Sequence, residues 1–510
     1  MLRVRAGLFC FLLLFHITAA SKSQAQSKSE LRTSRYLESI RKQPPLLHAF
    51  FKEMPKGADL HVHLSGAIYA ESFIDYAAQD GLCVDHTTSS LIPPPCDPCE
   101  KYANKPAVAC AYKDHVLYGQ MVDAWSMRNW PPGEESGHDH FFATFDKFSL
   151  ATRQHTGDMI AEAANRAASD NLQYLELMHT ADAGASIELG AKIGWTDNLG
   201  ELREKLLTGG LKDLVASTRK KLDEDETKMR SDLKCGRPDA EAGCHITVRY
   251  LYQVLRGMPP ASVFAQILLG FELAQADRRF VGLNLVMPED WYVPMHDFDL
   301  HMHVLDYLHE QYPKVHISLH AGELAPPLVP PEGLRFHIRE SVERAHAERI
   351  GHGVDVMYEK DPLQLLREMA RKNVLVEICL TSNEMILGVK GDDHPFPIYR
   401  KYGVPVTLAT DDQGVARGNI TDEYERAVGT YKLSYGEVKQ LSRQGLEHSF
   451  LPGASLWSDI RRARKVGACV RDDPSGKPSA TCQKFLEGSE RATLQWQLEQ
   501  EFAKFEKKVP

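Results

Sequence analysis

The chain has 510 residues, of which 43% are hydrophobic, 25% charged and 9% aromatic. These globular proportions exclude a chain that is disordered or collagen-like over most of its length. Sixty Lys and Arg against 69 Asp and Glu leave a net charge of −9, so there is no global basic field to hold nucleic acid.

Residues 1–25 read as a signal peptide. Arg3 and Arg5 precede an apolar run over 8–15, small residues follow, and cleavage is expected after Ala20 or Ala25. The run is short for a bilayer span, and no later segment offers roughly eighteen uninterrupted apolar residues. The expectation is an exported protein, periplasmic or secreted, without stable membrane insertion once the signal is removed. Residues 26–50 form an N-terminal segment before the main body, 51–510.

Export changes the meaning of the ten cysteines. Cys10 leaves with the signal. Cys235 and Cys244 flank one polar loop, and Cys469 and Cys482 flank another. Cys83, Cys96, Cys99 and Cys110 cluster around Pro93-Pro94-Pro95, while Cys379 stands alone in an apolar run. Four local disulfides are expected, including Cys235–Cys244 and Cys469–Cys482, with one free thiol. Connectivity within the four-cysteine cluster stays open, and a structural zinc site on those four residues is the competing reading.

Short apolar runs recur over 58–63, 174–178, 246–254, 281–287, 315–320, 349–351, 374–379 and 404–409. Amphipathic stretches separate them. Over 361–373, for instance, Asp361 can cap, Pro362 suits a first turn and Asn373 can end the helix. Continuous apolar strands alternating with helices imply parallel strands buried on both faces. Eight such units predict an α/β fold, a (β/α)₈ TIM-type barrel. It carries a disulfide-pinned cap insertion over 81–140, after strand 1, and a C-terminal helical extension over 455–510.

Chemistry-bearing residues gather at strand ends. His61-Val-His63 closes the first strand, where residues two apart project to one side and can share a metal. His301-Met-His303 is a control: its pattern is helical, two residues turn by about 200°, and both histidines are expected at the surface. His320-Ala-Gly-Glu323 ends the fifth strand, Arg349-Ile-Gly-His352-Gly353 the sixth, and Thr410-Asp411-Asp412 the eighth. All would meet at the carboxyl end of a barrel. Three histidines and an aspartate suit Zn²⁺, and Glu323 and His352 beside the metal suit proton transfer.

These motifs, with Met54-Pro-Lys-Gly-Ala-Asp-Leu-His-Val-His-Leu-Ser-Gly66, Cys379-Leu-Thr-Ser-Asn383 and the segment 433–450, resemble the adenosine deaminase family over roughly residues 45–455. The resemblance implies one Zn²⁺ per chain, held by His61, His63, His320 and Asp411, and a purine nucleoside as the small-molecule partner. It also implies that Glu323 protonates the purine at N1, His352 orients the attacking hydroxide, Asp411 shares the proton traffic and Asp412 bonds to N7. Adenosine or 2′-deoxyadenosine would become inosine or 2′-deoxyinosine, with release of ammonia. Three positions depart from the family pattern. Ser65 stands where an Asp usually contacts the ribose, and Met287-Pro288 replaces a small-residue stretch that meets the purine. In strand 2, Tyr-Leu-Glu-Leu-Met178 stands where Arg is frequent. The alternatives are a deaminase of adenine, an AMP-like nucleotide or a modified nucleoside, and a catalytically dead growth-factor-like binding protein. A phosphotriesterase-like hydrolase is disfavoured because 281–287 lacks the bridging lysine. Oligomeric state is not fixed by the sequence.

Overall fold

A computed structural model describes residues 27–100, 103–130, 133 and 135–510; the expected signal peptide lies outside the described residues. Eight parallel strands follow one another around a single sheet. They are β1 (Gly57–His63), β2 (Leu172–His179), β3 (Thr247–Leu255), β4 (Phe280–Val286), β5 (His316–Ala321), β6 (Arg349–His352), β7 (Leu375–Ile378) and β8 (Val406–Leu408). A parallel bridge between Val62 and Asp411 joins the two edges, with the Asp411 N–H donating to the His61 carbonyl at 2.9 Å. The barrel therefore closes at its chemistry-bearing end.

The (β/α)₈ expectation holds, and the strands are buried because helices cover the outside. In β4, Phe-Val-Gly-Leu-Asn-Leu-Val is buried throughout. The helix Pro362–Lys372 begins at its proline and ends at Asn373, whose φ of 59° closes it in the left-handed conformation. Asp361, expected to cap it, makes no side-chain cap bond, because its own backbone is left-handed there, with φ 49°.

The additions sit where they can act on the barrel. Disulfides Cys83–Cys96 and Cys99–Cys110 pin the insertion, so the cluster's four thiols are consumed and the zinc alternative for them falls away. The insertion lies over the carboxyl ends of the strands. Met127 N–H donates to Val415 O at 2.8 Å, and His138 Nε2 lies 2.9 Å from Asp290 Oδ1. Gly137 opens the helix Gly137–Phe148, and a Cβ there would come within 1.8 Å of Met385 O. Only glycine allows the insertion to seat so closely.

Cys235–Cys244 and Cys469–Cys482 are bonded as expected, and Cys379 is a buried free thiol. Helices Lys28–Ile40 and Pro44–Glu53 pack beside the C-terminal helix Glu490–Lys508. Arg32 donates to Glu506 O at 2.7 Å, and Phe50 meets Phe505 edge-on. Among the described residues no helix is long and apolar enough to cross a membrane.

One surface assignment is corrected. Helix Phe298–Gln311 does separate His301 from His303, but it turns His301 into the core, where it is 1% exposed, and leaves only His303 outside. The rotation that forbids a shared metal also forbids both rings from facing water.

Candidate metal centre

β1 carries His61 and His63 on one side, His320 is the penultimate residue of β5, and Asp411 follows β8. Their ligand atoms lie within 4.8 Å of one another. His320 Nε2 is 3.1 Å from His61 Nε2 and 3.2 Å from His63 Nε2. Asp411 Oδ1 lies 3.6 Å from His61 Nε2 and 3.3 Å from His63 Nε2. Zinc bonds of about 2.0–2.1 Å place tetrahedral ligand atoms roughly 3.4 Å apart. Four of the six separations, at 3.1–3.6 Å, match that spacing, and all six lie within 4.8 Å, so the set can hold such an ion.

Each imidazole is held by its other nitrogen. His61 Nδ1 donates to Glu377 at 2.7 Å, His63 Nδ1 to Gln253 Oε1 at 2.9 Å and His320 Nδ1 to Asn284 Oδ1 at 2.8 Å. An oxygen acceptor at Nδ1 forces the proton there and turns the Nε2 lone pair to the common centre. The support runs deeper. Glu377 pairs with Arg349 at 2.7 Å and Arg349 with Glu176 at 2.6 Å, all three buried. Burial raises the Glu377 carboxyl, but Arg349 and His61 outweigh it and keep the group below its ordinary value.

The other site residues surround this centre. Glu323 is buried, 3.6 Å from His352, and Glu289 takes the backbone N–H groups of Gly322 and Glu323 at 3.1 and 2.7 Å. Burial, then the charges of Asp411 and Glu289, push the Glu323 carboxyl well above the usual range. Burial also lifts Asp412 well above its ordinary value and drops His352 to about 3. Burial opposes ionisation of Asp411 too, but the adjacent His61, His63 and His352 rings outweigh it and hold the group well below its ordinary value. Ser382 Oγ–H donates to Asp411 Oδ2 at 2.6 Å.

Three non-glycine residues at strand ends adopt left-handed backbone: Met287 at φ 89°, His352 at φ 67° and Asp411 at φ 58°. Such conformations cost about 1–3 kcal/mol each and persist where the surroundings impose them. At Met287 the imposing group is Arg256, buried, which donates to Met287 O at 3.1 Å and to His320 O at 3.3 Å. The Met287 side chain lies against Gly257, whose N–H is 3.3 Å from its sulfur. Ser65 is half-buried beside His63. Two glycines allow the close approaches. A Cβ on Gly66 would come within 1.5 Å of Asp412 Oδ1, and one on Gly351 within 2.5 Å of the His61 ring.

Gln253, Asn284, Glu289, Glu377 and Arg256 were not read from the sequence. Two of them carry a recognisable signal: Asn284 and Glu377 interrupt apolar runs in strands buried on both faces, where a polar side chain needs a partner.

The model of the family described as adenosine deaminase matches residues 132–456. The chain belongs to the adenosine deaminase family. An adenosine deaminase of Clostridium botulinum is 25% identical over 408 residues, covering 78% of this chain and 94% of that protein. One from Clostridium perfringens is 33% identical over 135 residues; the match covers 26% of this chain and spans only 37% of that relative's length. Among solved structures, an amidohydrolase from Burkholderia ambifaria with bound Zn has a TM-score of 0.52 at 16% identity, covering 82% of this chain and 89% of that one. The N6-methyl-AMP deaminase of Arabidopsis thaliana has a TM-score of 0.50 at 20% identity, covering 81% and 96%. Both share the fold with this adenosine deaminase family member.

Proposed function

We propose that the chain is a zinc-dependent hydrolytic deaminase whose substrate is adenosine or 2′-deoxyadenosine. The observation that carries this reading is the convergence of three histidine Nε2 atoms and Asp411 Oδ1, with a buried Glu323 carboxyl beside them that burial and its acidic neighbours push well above the usual range. His61, His63, His320 and Asp411 would hold the ion, and the zinc-bearing structural relative supports the choice of metal. Zinc, when bound there, supplies Lewis acidity that lowers the pKa of water and provides the nucleophile at neutral pH.

The chain's own residues do the rest. Glu323 keeps its proton because burial and its acidic neighbours disfavour the anion, so it can deliver that proton to purine N1 and weaken the aromaticity protecting C6. His352 is neutral and buried, and its Nε2, 3.9 Å from Asp411 Oδ2, has no hydrogen-bond partner among the described residues, so it can orient the attacking oxygen. Asp411 is an anion and can take a proton from that oxygen. Asp412 has a buried, unpartnered Oδ1 and a raised pKa, which suits a carboxyl donating to the acceptor N7. Water and adenosine then give inosine and ammonia. Ser65 would face the ribose, and Met287 would bring its main chain to the purine; its left-handed φ preserves a conformation that glycine adopts freely.

Four disulfides among the described residues support export to an oxidising compartment. The test is a panel of adenosine, 2′-deoxyadenosine, adenine, AMP and N6-methyl-AMP with the metal content measured. Zinc near one per chain with turnover of the nucleosides supports the proposal. Turnover confined to adenine or a nucleotide would overturn the substrate, and no turnover by metal-replete protein would overturn the enzyme.

A further inference from the structure

We infer that a hydrogen-bond relay running from the main chain of Phe396 through His394 and Asn383 fixes the tautomer of His352, making Asn383 and His394 positioning residues for the deamination site. The inference rests on the proposed deaminase reading for its consequence but not for its geometry. The relay starts at a donor that cannot reverse. Phe396 N–H, at the start of helix Phe396–Tyr402, points at His394 Nδ1 at 3.1 Å. His394 Nδ1 must therefore carry a lone pair, and the proton of the neutral ring sits on Nε2.

That Nε2–H lies 3.0 Å from Asn383 Oδ1, so the asparagine orientation is settled too. With its amide flipped, Asn383 would set NH₂ against N–H, two donors face to face in a buried site. In the orientation that works, Asn383 Nδ2 donates to His352 Nδ1 at 2.9 Å. His352 must accept at Nδ1, which leaves its single proton on Nε2. His352, Asn383 and His394 are all buried, so water has no place to supply competing partners along the chain.

The polarity is opposite to that of the metal-centre histidines. His61, His63 and His320 each donate through Nδ1 to an oxygen and present a lone pair at Nε2. His352 sits among them, its ring 4.8 Å from that of His61 and 5.1 Å from that of His320. With an oxygen acceptor at Nδ1 it would present a fourth imidazole lone pair to the same centre. The relay instead gives it an N–H at Nε2, 3.9 Å from Asp411 Oδ2, which can only donate. His352 is thereby a fixed donor to an oxygen nucleophile, and it is excluded from the coordination sphere.

Neutron diffraction from crystals of the intact, zinc-replete protein exchanged into D₂O reads the relay directly. A deuteron on Nε2 of both His352 and His394, with neither Nδ1 bearing one, is the expected result; a deuteron on His352 Nδ1 overturns the inference. Kinetics give a second arm. The near-isosteric Asn383→Leu should lower kcat about 100-fold, in the range for a misplaced proton-transfer group, with KM and zinc content within roughly twofold of wild type. His394→Gln can accept from Phe396 and donate to Asn383, so it should keep kcat within roughly threefold, whereas His394→Leu should behave like Asn383→Leu. A kcat for Asn383→Leu near wild type, or a loss that tracks zinc content, overturns the positioning role. If that variant fails to fold, the neutron map of the wild type decides alone. A wild type that deaminates no aminopurine removes the deaminase reading and leaves the proton positions to be judged separately.

Discussion

The two ends of strand β1 solve the problem of burying charge in opposite ways. At the amino end, Lys56 is wholly buried, and its Nζ donates to three carbonyls, those of Phe51, Met54 and Asp170. Every proton there has a partner. At the carboxyl end of the barrel, His352 Nε2, Asp411 Oδ1 and Asp412 Oδ1 are buried without one among the described residues, and Met287, His352 and Asp411 hold left-handed backbone. One end spends its polar groups on stability, while the other keeps them unsatisfied for something that is not protein. Barrels of this type place chemistry at the carboxyl face and stability at the amino face, and here both are visible along one strand.

Substitutions should therefore separate activity from stability according to the end they strike. Glu323→Gln should lower kcat by about 10³-fold or more, because an amide cannot give up the proton, while zinc content and melting temperature stay close to wild type. A parallel fall in zinc and kcat would blur the contrast. Asp411→Ala removes a donor atom and should lower both metal content and activity. Chelation of the wild type should do the same and also reduce the melting temperature, since a ligand that binds the folded state stabilises it.

At the other end, Lys56→Met should cost about 2–3 kcal/mol in denaturant unfolding, by leaving buried carbonyls without donors, with kcat unchanged. It should also alter the pH dependence of stability. Burial lowers Lys56 from its ordinary value of 10.5 to about 7. Between these values the unfolded chain binds the extra proton, so this group adds stability as pH rises from 7 towards 10, and the variant should lack that slope. Replacing Cys235 and Cys244 by serine, far from the site, should cost about 2 kcal/mol without touching kcat. The smallest effect is expected at Ser65: Ser65→Asp should lower KM for adenosine by roughly threefold to fivefold if this position meets the ribose, an increment of about 1 kcal/mol.

Much of the carboxyl end was legible because its chemistry is written in short motifs at strand ends. His61-Val-His63 marks a strand whose alternate residues share a side, and the motifs at 320–323, 349–353 and 410–412 fall one per strand. The family resemblance then made the barrel explicit. The partners that orient those residues were harder to see, since Gln253, Asn284 and Glu377 lie in other strands, and nothing local says which histidine each will hold. Asn383 stood within a quoted motif, yet its role depends on His394, eleven residues on and reached only through the fold. His301 shows the complementary failure. Helical rotation separates it from His303 correctly, but which of the two faces inward is decided by the packing of the helix on the barrel. The disulfide pairing around Pro93-Pro94-Pro95 was likewise undetermined by spacing, because each of the four cysteines has more than one sequence-near partner.

The unsatisfied polar groups at the carboxyl end are proposed to form a metal-dependent deaminase site. Ammonia release from adenosine by purified protein, measured alongside zinc content before and after chelation and zinc repletion, tests it most directly. Ammonia should appear in step with inosine, be lost on chelation and return with zinc near one equivalent per chain. Zinc-replete protein that releases no ammonia from any aminopurine would contradict it.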